Sequence, residues 1–253
     1  MPKIISIHSF RRGTGKSTIT ANLAALLAVA GQRVGVVDVD VLSPSLHWLL
    51  GVDKSKIGCT LNSFLLDQQD IEQAAHDVTA RLGVDVKGRL FLVPASDDAL
   101  QIARVLRERY DIDRLNAGCQ RLIEQLALDM LLVDTHAGLN QDSLAAIAMS
   151  DALIIVLRLD QQDYQGTAVT VDVARRFEVP DLSLMVNLVP VSFQSLAVAT
   201  QVEQTYHCPV SAVLPLSEEL MTQPGSSLFV LDHARHPITT LLTQAAARLM
   251  AQV

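Results

Sequence analysis

The sequence is poor in cysteine, in net positive charge and in long apolar runs, and each shortage removes a class of function. Its 253 residues include only three cysteines, Cys59, Cys119 and Cys208, scattered and odd in number. None pairs with another at metal-ligand spacing, which excludes a Cys-x-x-Cys centre and fits reduced, buried thiols in the cytoplasm. No run of about eighteen uninterrupted apolar residues occurs, so no transmembrane helix is expected. Met1-Pro2-Lys3 passes directly into a strand-like segment, without the charged start and apolar core of a signal peptide. The formal net charge of −7 argues against a strongly basic nucleic-acid binder. Arginines do gather at Arg104, Arg107, Arg109 and Arg114, and at Arg175-Arg176. They read as solvated helix faces, and the net charge does not exclude a local patch. Internal repeats and low-complexity linkers are missing as well. What remains is 49% hydrophobic and 19% charged, which suits one α/β domain over residues 1–253 with a well-buried core.

The chain is organised around His8-Ser9-Phe10-Arg11-Arg12-Gly13-Thr14-Gly15-Lys16-Ser17-Thr18. The segment follows a strand-like run, Ile4 to Ile7, and precedes a helical run, Ile19 to Ala30. Strand, glycine loop, Gly-Lys-Ser and helix are the context of a phosphate-binding loop. Gly13 and Gly15 have no Cβ, so the backbone can wrap closely around phosphates. Its N–H groups, with the helix N-terminus, then face anionic oxygens. Lys16 reaches the β- and γ-phosphates, and the Ser17 hydroxyl ligates Mg²⁺. The usual pattern begins with glycine, and here Phe10 stands in that place.

Two acidic strand ends follow. Val34 to Asp38 reads as a buried parallel strand, leading into Asp38-Val39-Asp40-Val41-Leu42-Ser43-Pro44-Ser45. Asp38 is expected near Mg²⁺, and Asp40, two residues on, near the γ-phosphate, where a carboxylate can position the attacking water. Capping of the next helix is the competing use of these acids, but Ser43 and Ser45 suit a cap better and Pro44 suits a first helical turn. Met130 to Asp134 is the second such strand, with Asp134 as a Mg²⁺ holder and Gly138 as the flexible point of a switch loop. His136 between them is a residue of that loop rather than a general base.

The remainder alternates. Leu61 to Leu66 and Ile71 to Ala75 read as short helices, and 83–88 as a turn-rich connection. Leu90 to Val93 is a strand, followed by a helix begun by Asp97 or Asp98 with Ala99, Ile102, Ala103 and Leu106 on one face. A further helix covers Leu115 to Leu126. Ala152 to Leu157 is a strand ending in Arg158, with a polar stretch from Asp160 to Gly166 before a helix from Thr167 to Phe177. Arg158 is either a source of charge for a nucleotide or the ion-pair partner of Asp160. Leu182 to Asn187 and Val210 to Leu214 are strands, Gln194 to Tyr206 a helix, and Pro237 opens the last helix, Ile238 to Ala251. The pattern predicts a doubly wound, mainly parallel sheet flanked by helices.

The loop resembles the deviant phosphate loop of the ParA/MinD ATPases, Lys-Gly-Gly-x-Gly-Lys-Ser/Thr. Arg11 falls at that family's first lysine, which reaches a partner's nucleotide across a dimer interface, and Arg12 at its first glycine. Asp38 to Ser45, continuing into Leu46-His47, is similar to the first switch of the MinD, Mrp and bacterial tyrosine-kinase group, with Asp40 at the catalytic aspartate. Pro94-Ala95-Ser96 is similar to a MinD-like strand end. Asp134-Thr135-His136-Ala137-Gly138 resembles the family's Asp-Thr/Ser-Pro-x-Gly. Asn187 falls at an asparagine that pairs with the adenine edge, and Pro215 in a loop against the base.

The resemblance implies a cytoplasmic ATPase that binds ATP and Mg²⁺ through Arg12, Gly13, Thr14, Gly15, Lys16, Ser17 and Thr18. It implies a homodimer with ATP, an activator or cargo-adaptor partner, slow partner-stimulated hydrolysis, and positioning of a cargo such as DNA, division machinery or a protein organelle. The trans charge falls to Arg11 or Arg158, and DNA binding to the dimer. A carboxysome-positioning relative is one subfamily that fits. A nucleotide-bound scaffold with little or no hydrolysis is the alternative. An iron–sulphur carrier of the Mrp kind needs a cysteine pair that this chain lacks, and a tyrosine kinase a terminal tyrosine cluster. The last helix has one basic residue, Arg248, so no C-terminal membrane-targeting helix is expected.

Overall fold

The apolar runs form one eight-stranded sheet in the order β3-β4-β2-β5-β1-β6-β7-β8. The strands are β1 (Lys3–His8), β2 (Arg33–Asp38), β3 (His76–Asp77), β4 (Arg89–Val93), β5 (Met130–Asp134), β6 (Ala152–Leu157), β7 (Asp181–Val189) and β8 (Val210–Pro215). All neighbours run parallel except the short edge strand β3, which is antiparallel to β4. The structure is a computed structural model that describes residues 2–67, 69–108, 110–223 and 227–251. Arg109, one of the clustered arginines, lies outside the described residues.

The strands are apolar on both faces because helices cover both. Alternation of side chains along a strand sends Ile5, Ile7, Val34, Val36, Met130 and Leu132 to one core cluster. Ile4, Val37, Leu131 and Val133 go to a second, and Leu153, Ile155, Leu184 and Val186 to a third. The helices are α1 (Lys16–Val29), α2 (Leu46–Leu49), α3 (Leu61–Asp67), α4 (Ala99–Glu108), α5 (Ile112–Gln125), α6 (Gln141–Ala148), α7 (Gln161–Arg176), α8 (Ser195–Tyr206), α9 (Glu218–Thr222), α10 (Phe229–Asp232) and α11 (Pro237–Ala251). Helix α1 is buried on nearly every side, and α11 packs Ile238, Leu242, Ala245 and Leu249 into the same cluster. Among the described residues no helix is long and apolar enough to cross a membrane.

Winding starts at β1 and proceeds in both directions, so the carboxyl end of β1 lies at the topological switch point, where such sheets bind ligands. Three expectations are corrected. Helix α7 begins at Gln161, not Thr167, because Asp160 caps it by accepting from the Gln162 and Asp163 N–H groups. Helix α4 buries only Val105, and Ala103 and Leu106 face outward, because it packs on the short α3 at the rim rather than on the sheet. Pro44 precedes α2 instead of entering its first turn, and Ser45 caps nothing with its side chain.

Candidate functional site

The loop from β1 to α1 closes under Gly15, which ends the turn with φ of 87°. A Cβ there would stand 2.4 Å from Asn187 Nδ2, so only glycine fits. Asn187, near the end of β7, donates to the Thr14 carbonyl at 2.8 Å and so supports the loop from beneath. Lys16 is buried, and its ammonium lies 2.9 Å from Asp134 Oδ1 at the end of β5. Thr20, one turn into α1, donates to the same oxygen at 3.1 Å. The opposite oxygen, Asp134 Oδ2, is buried without a hydrogen-bond partner, as are Thr14 Oγ1 and Asn187 Oδ1. Unpartnered buried polar atoms are uncommon in native structures. Here they surround a loop whose backbone suits phosphates. The donor set fits Mg-nucleotide: a carboxylate oxygen for a cation and an amide oxygen for a base amino group.

Asp38 and Asp134 are register partners on adjacent parallel strands. Both are fully buried. Burial first, and the neighbouring Asp134 charge second, push the Asp38 carboxyl up to about 7. Its oxygens are already used: Oδ1 accepts from Asp40 N–H, and Oδ2 from Ser45 and Leu46 N–H at 3.1 and 3.2 Å. Asp38 therefore caps α2, the task that sequence reasoning gave to Ser43 and Ser45, and it fixes the turn that carries Asp40. Asp40 accepts from Ser43 N–H and lies 3.9 Å from His136 Nε2. Burial raises its carboxyl above the ordinary range, against the opposing pull of Lys16, His136 and Arg12. Arg12 donates to His136 Nε2 at 2.6 Å, and Asn140 Nδ2 stands 2.9 Å from the other ring nitrogen. Gly138 donates to the Ser9 carbonyl at 2.9 Å, tying the segment after β5 to the loop.

The leading side chains of the loop turn toward α7. Arg11 Nη1 pairs with Asp160 Oδ1 at 3.0 Å, and its Nε lies 3.9 Å from Asp163 Oδ1. Arg158 pairs with the same two acids, at 3.0 and 3.1 Å. Arg11 and Asp160 are each more than a third exposed, so that pair alone contributes about 0–1 kcal/mol. Phe10 lies against Gly166. Sequence reasoning places Asp160 to Gly166 at the nucleotide edge without singling out Asp163 or Gly166.

Two cavities meet at the loop. The first, about 350 Å³, is lined by Arg11, Gly13, Lys16, Ser17, Asp40 and Trp48 among others. The second, about 260 Å³, shares Gly15 and Thr18 with it and runs between Asn187, Leu214, Ser217 and Phe229. Pro215 lines neither; it borders a third cavity, while its neighbours Leu214 and Ser217 face the second. Arg158 also lies outside both. The arginine clusters are occupied elsewhere: Arg104 and Arg107 on Glu108, Arg114 on the Phe64 carbonyl, Arg175 on the Tyr206 carbonyl.

Comparison with known proteins agrees with this geometry. A family model described as ParA, NUBPL iron-transfer P-loop NTPase, matches residues 1–250. An uncharacterized ATP-binding protein of Methanocaldococcus jannaschii is 26% identical over 247 residues, spanning 97% of this chain and 87% of the relative. Among solved structures, the MinD cell division protein of Aquifex aeolicus superposes with a TM-score of 0.81 at 21% identity, covering 98% of this chain and 97% of that one. The septum site-determining protein MinD of Pyrococcus horikoshii, complexed with Mg-ADP, gives 0.79 at 21% identity over 98% and 96% of the two chains.

Proposed function

The chain belongs to the ParA family of P-loop NTPases, and from that premise we propose that it is an ATP-binding and ATP-hydrolysing switch that pairs with a second copy when ATP is bound and positions a cellular cargo. The observation that carries this reading is Asp134, whose one oxygen holds the Lys16 ammonium while the other is buried and free beside the loop. Phosphates drawing Lys16 toward them would release Asp134 Oδ1, leaving a full carboxylate for a cation. Ser17 and Asp134 are the residues that would hold Mg²⁺, and the ion would neutralise phosphate charge there. Asp38 keeps the first switch in place through three backbone N–H groups rather than offering a free oxygen. Asp40 is the group that would orient the attacking water, held by the Ser43 N–H and lying beside His136. The Asn187 Oδ1 acceptor suits an adenine amino group, and Gly15 and Thr18 join its cavity to the phosphates.

A cytoplasmic setting, an activator or cargo adaptor, and DNA contact by the dimer belong to the same reading. Iron–sulphur carriage fits less well, since the three cysteines are buried, Cys59 and Cys119 in one core cluster and Cys208 in another. The scaffold alternative is favoured by one observation: Arg11, at the position expected to act in trans, is committed to Asp160 within its own chain. Phosphate release separates the two. Slow release that Asp40→Ala abolishes while ATP binding persists supports the switch; a wild type that binds ATP without release supports the scaffold. Lys16→Ala is expected to lose binding and hydrolysis together, and the reading fails if it changes neither.

A further inference from the structure

The place where the loop pattern normally has glycine is filled by Phe10, and the structure shows where that ring goes. A Cβ built on Gly166 would stand 1.9, 2.1 and 2.6 Å from the ring's Cδ1, Cγ and Cε1 atoms. At such distances one group must move, so a side chain at 166 would displace the Phe10 ring from this position. Gly166 lies in the middle of α7, where glycine weakens a helix relative to alanine. The bare backbone there is explained by the ring. The next residue, Arg11, is tethered to the acids at the start of the same helix. On the other side, Ser9 Oγ donates to the Arg11 carbonyl at 2.8 Å, and Gly138 N–H to the Ser9 carbonyl. Residues 9–12 are thus seated between α7 and the segment after β5.

We propose that Phe10 and Gly166 are positioning residues for the phosphate loop. The ring seated on the glycine holds residues 9–12 in the path that presents the backbone of Gly13 to Ser17 to phosphates, and Arg11 on Asp160 is a second tether. A bulky first residue is accommodated because its side chain is turned outward onto a helix that has been cleared to receive it. The proposal rests on the reading of this loop as a nucleotide site.

The test is a cycle of Gly166→Ala, Phe10→Ala and the double variant. It reads Mg-ADP affinity by calorimetry, hydrogen–deuterium exchange of residues 9–18 without nucleotide, and melting temperature. Gly166→Ala in the wild-type background is expected to weaken Mg-ADP about tenfold, mid-range for coupling between residues in contact, and to speed exchange in the loop. In the Phe10→Ala background the same substitution changes neither, and it raises the melting temperature, since alanine is the better helix former. Wild-type affinity and exchange in Gly166→Ala, or an equal loss in both backgrounds, overturns the proposal. Should Gly166→Ala fail to fold, Phe10→Ala alone decides: faster loop exchange at an unchanged melting temperature supports it, unchanged exchange overturns it. A wild type that binds no Mg-ADP refutes the nucleotide reading instead, and exchange in the free protein still decides whether the ring seats the loop.

Discussion

His8 shows how a single side chain can couple the site to pH. It is fully buried at the end of β1, 2.8 Å from Thr135 Oγ1. Thr135 donates its own hydrogen to the Ile7 carbonyl, so His8 Nδ1 must carry the proton and donate. Nε2 is left buried without a partner. Burial, and then the nearby Lys16 and His136 charges, hold the imidazole down to about 3. The unfolded chain binds this proton near 6.5 and the folded chain does not, so stability is complete above that value and falls as pH drops toward 3. Between pH 7.5 and 5.5 the loss is about 1.4 kcal/mol, from integrating the linkage slope across the unfolded value. Asp38, pushed up to about 7, acts in the opposite sense and loses stability as pH rises from its unfolded value through 7. The difference between wild type and His8→Gln isolates the histidine. Urea midpoints at the two pH values are expected to drop for wild type relative to the variant, and an identical acid response in both refutes the assignment.

At the scale of elements, α6 offers a separable test of stability and switch geometry. Asn140 Oδ1 accepts from Ser143 N–H at 2.8 Å, and Ser143 Oγ accepts from Asn140 N–H at 3.0 Å, a reciprocal cap. The same hydroxyl donates to the Gly138 carbonyl, and Asn140 Nδ2 meets the His136 ring. Asn140→Ala is expected to cost about 1 kcal/mol, the usual worth of a cap, read as a lower urea midpoint. Asn140→Asp keeps the cap, replaces the amide nitrogen at His136 by an oxygen and adds a negative charge beside the ring. It should therefore retain stability while altering phosphate release; a stability loss equal to that of alanine contradicts this division. The contrast also shows what the sequence makes legible. The parallel strands, the loop and its two acidic strand ends follow from local pattern: runs of Val, Ile and Leu ending in Asp, and glycines before Lys16. The cap by Asp38 and the early start of α7 rest on local carboxylate-to-backbone bonds that hydrophobic pattern does not register, while the outward face of α4 depends on which element arrives alongside. The meeting of Phe10 with Gly166 joins residues 156 positions apart, and no local periodicity encodes it.

At the scale of the whole molecule, the cavities at the carboxyl edge of the sheet are bordered by exposed apolar side chains. Trp48 beside the first cavity is 61% exposed, Met221 beside the second 68%, and Val191 beside the third 84%. The proposed pairing of two copies across this edge would cover these side chains together with both nucleotides. The expected behaviour is a single copy without nucleotide and with Mg-ADP, and a dimer with Mg-ATP, measured by sedimentation alongside phosphate release. Asp160→Asn sharpens the question of trans charge. Asparagine caps a helix as well as aspartate does, so α7 keeps its start while Arg11 loses the charge of its nearer partner and keeps Asp163 at 3.9 Å. If Arg11 serves the partner's nucleotide, the variant dimerises at lower Mg-ATP concentration than wild type, because the competing contact within the chain is weakened. If Arg11 serves only its own loop, dimerisation is unchanged or weaker and Mg-ADP affinity falls with it. A dimer of equal strength in every nucleotide state, in both proteins, would mean that the family's switch has become a permanent scaffold here.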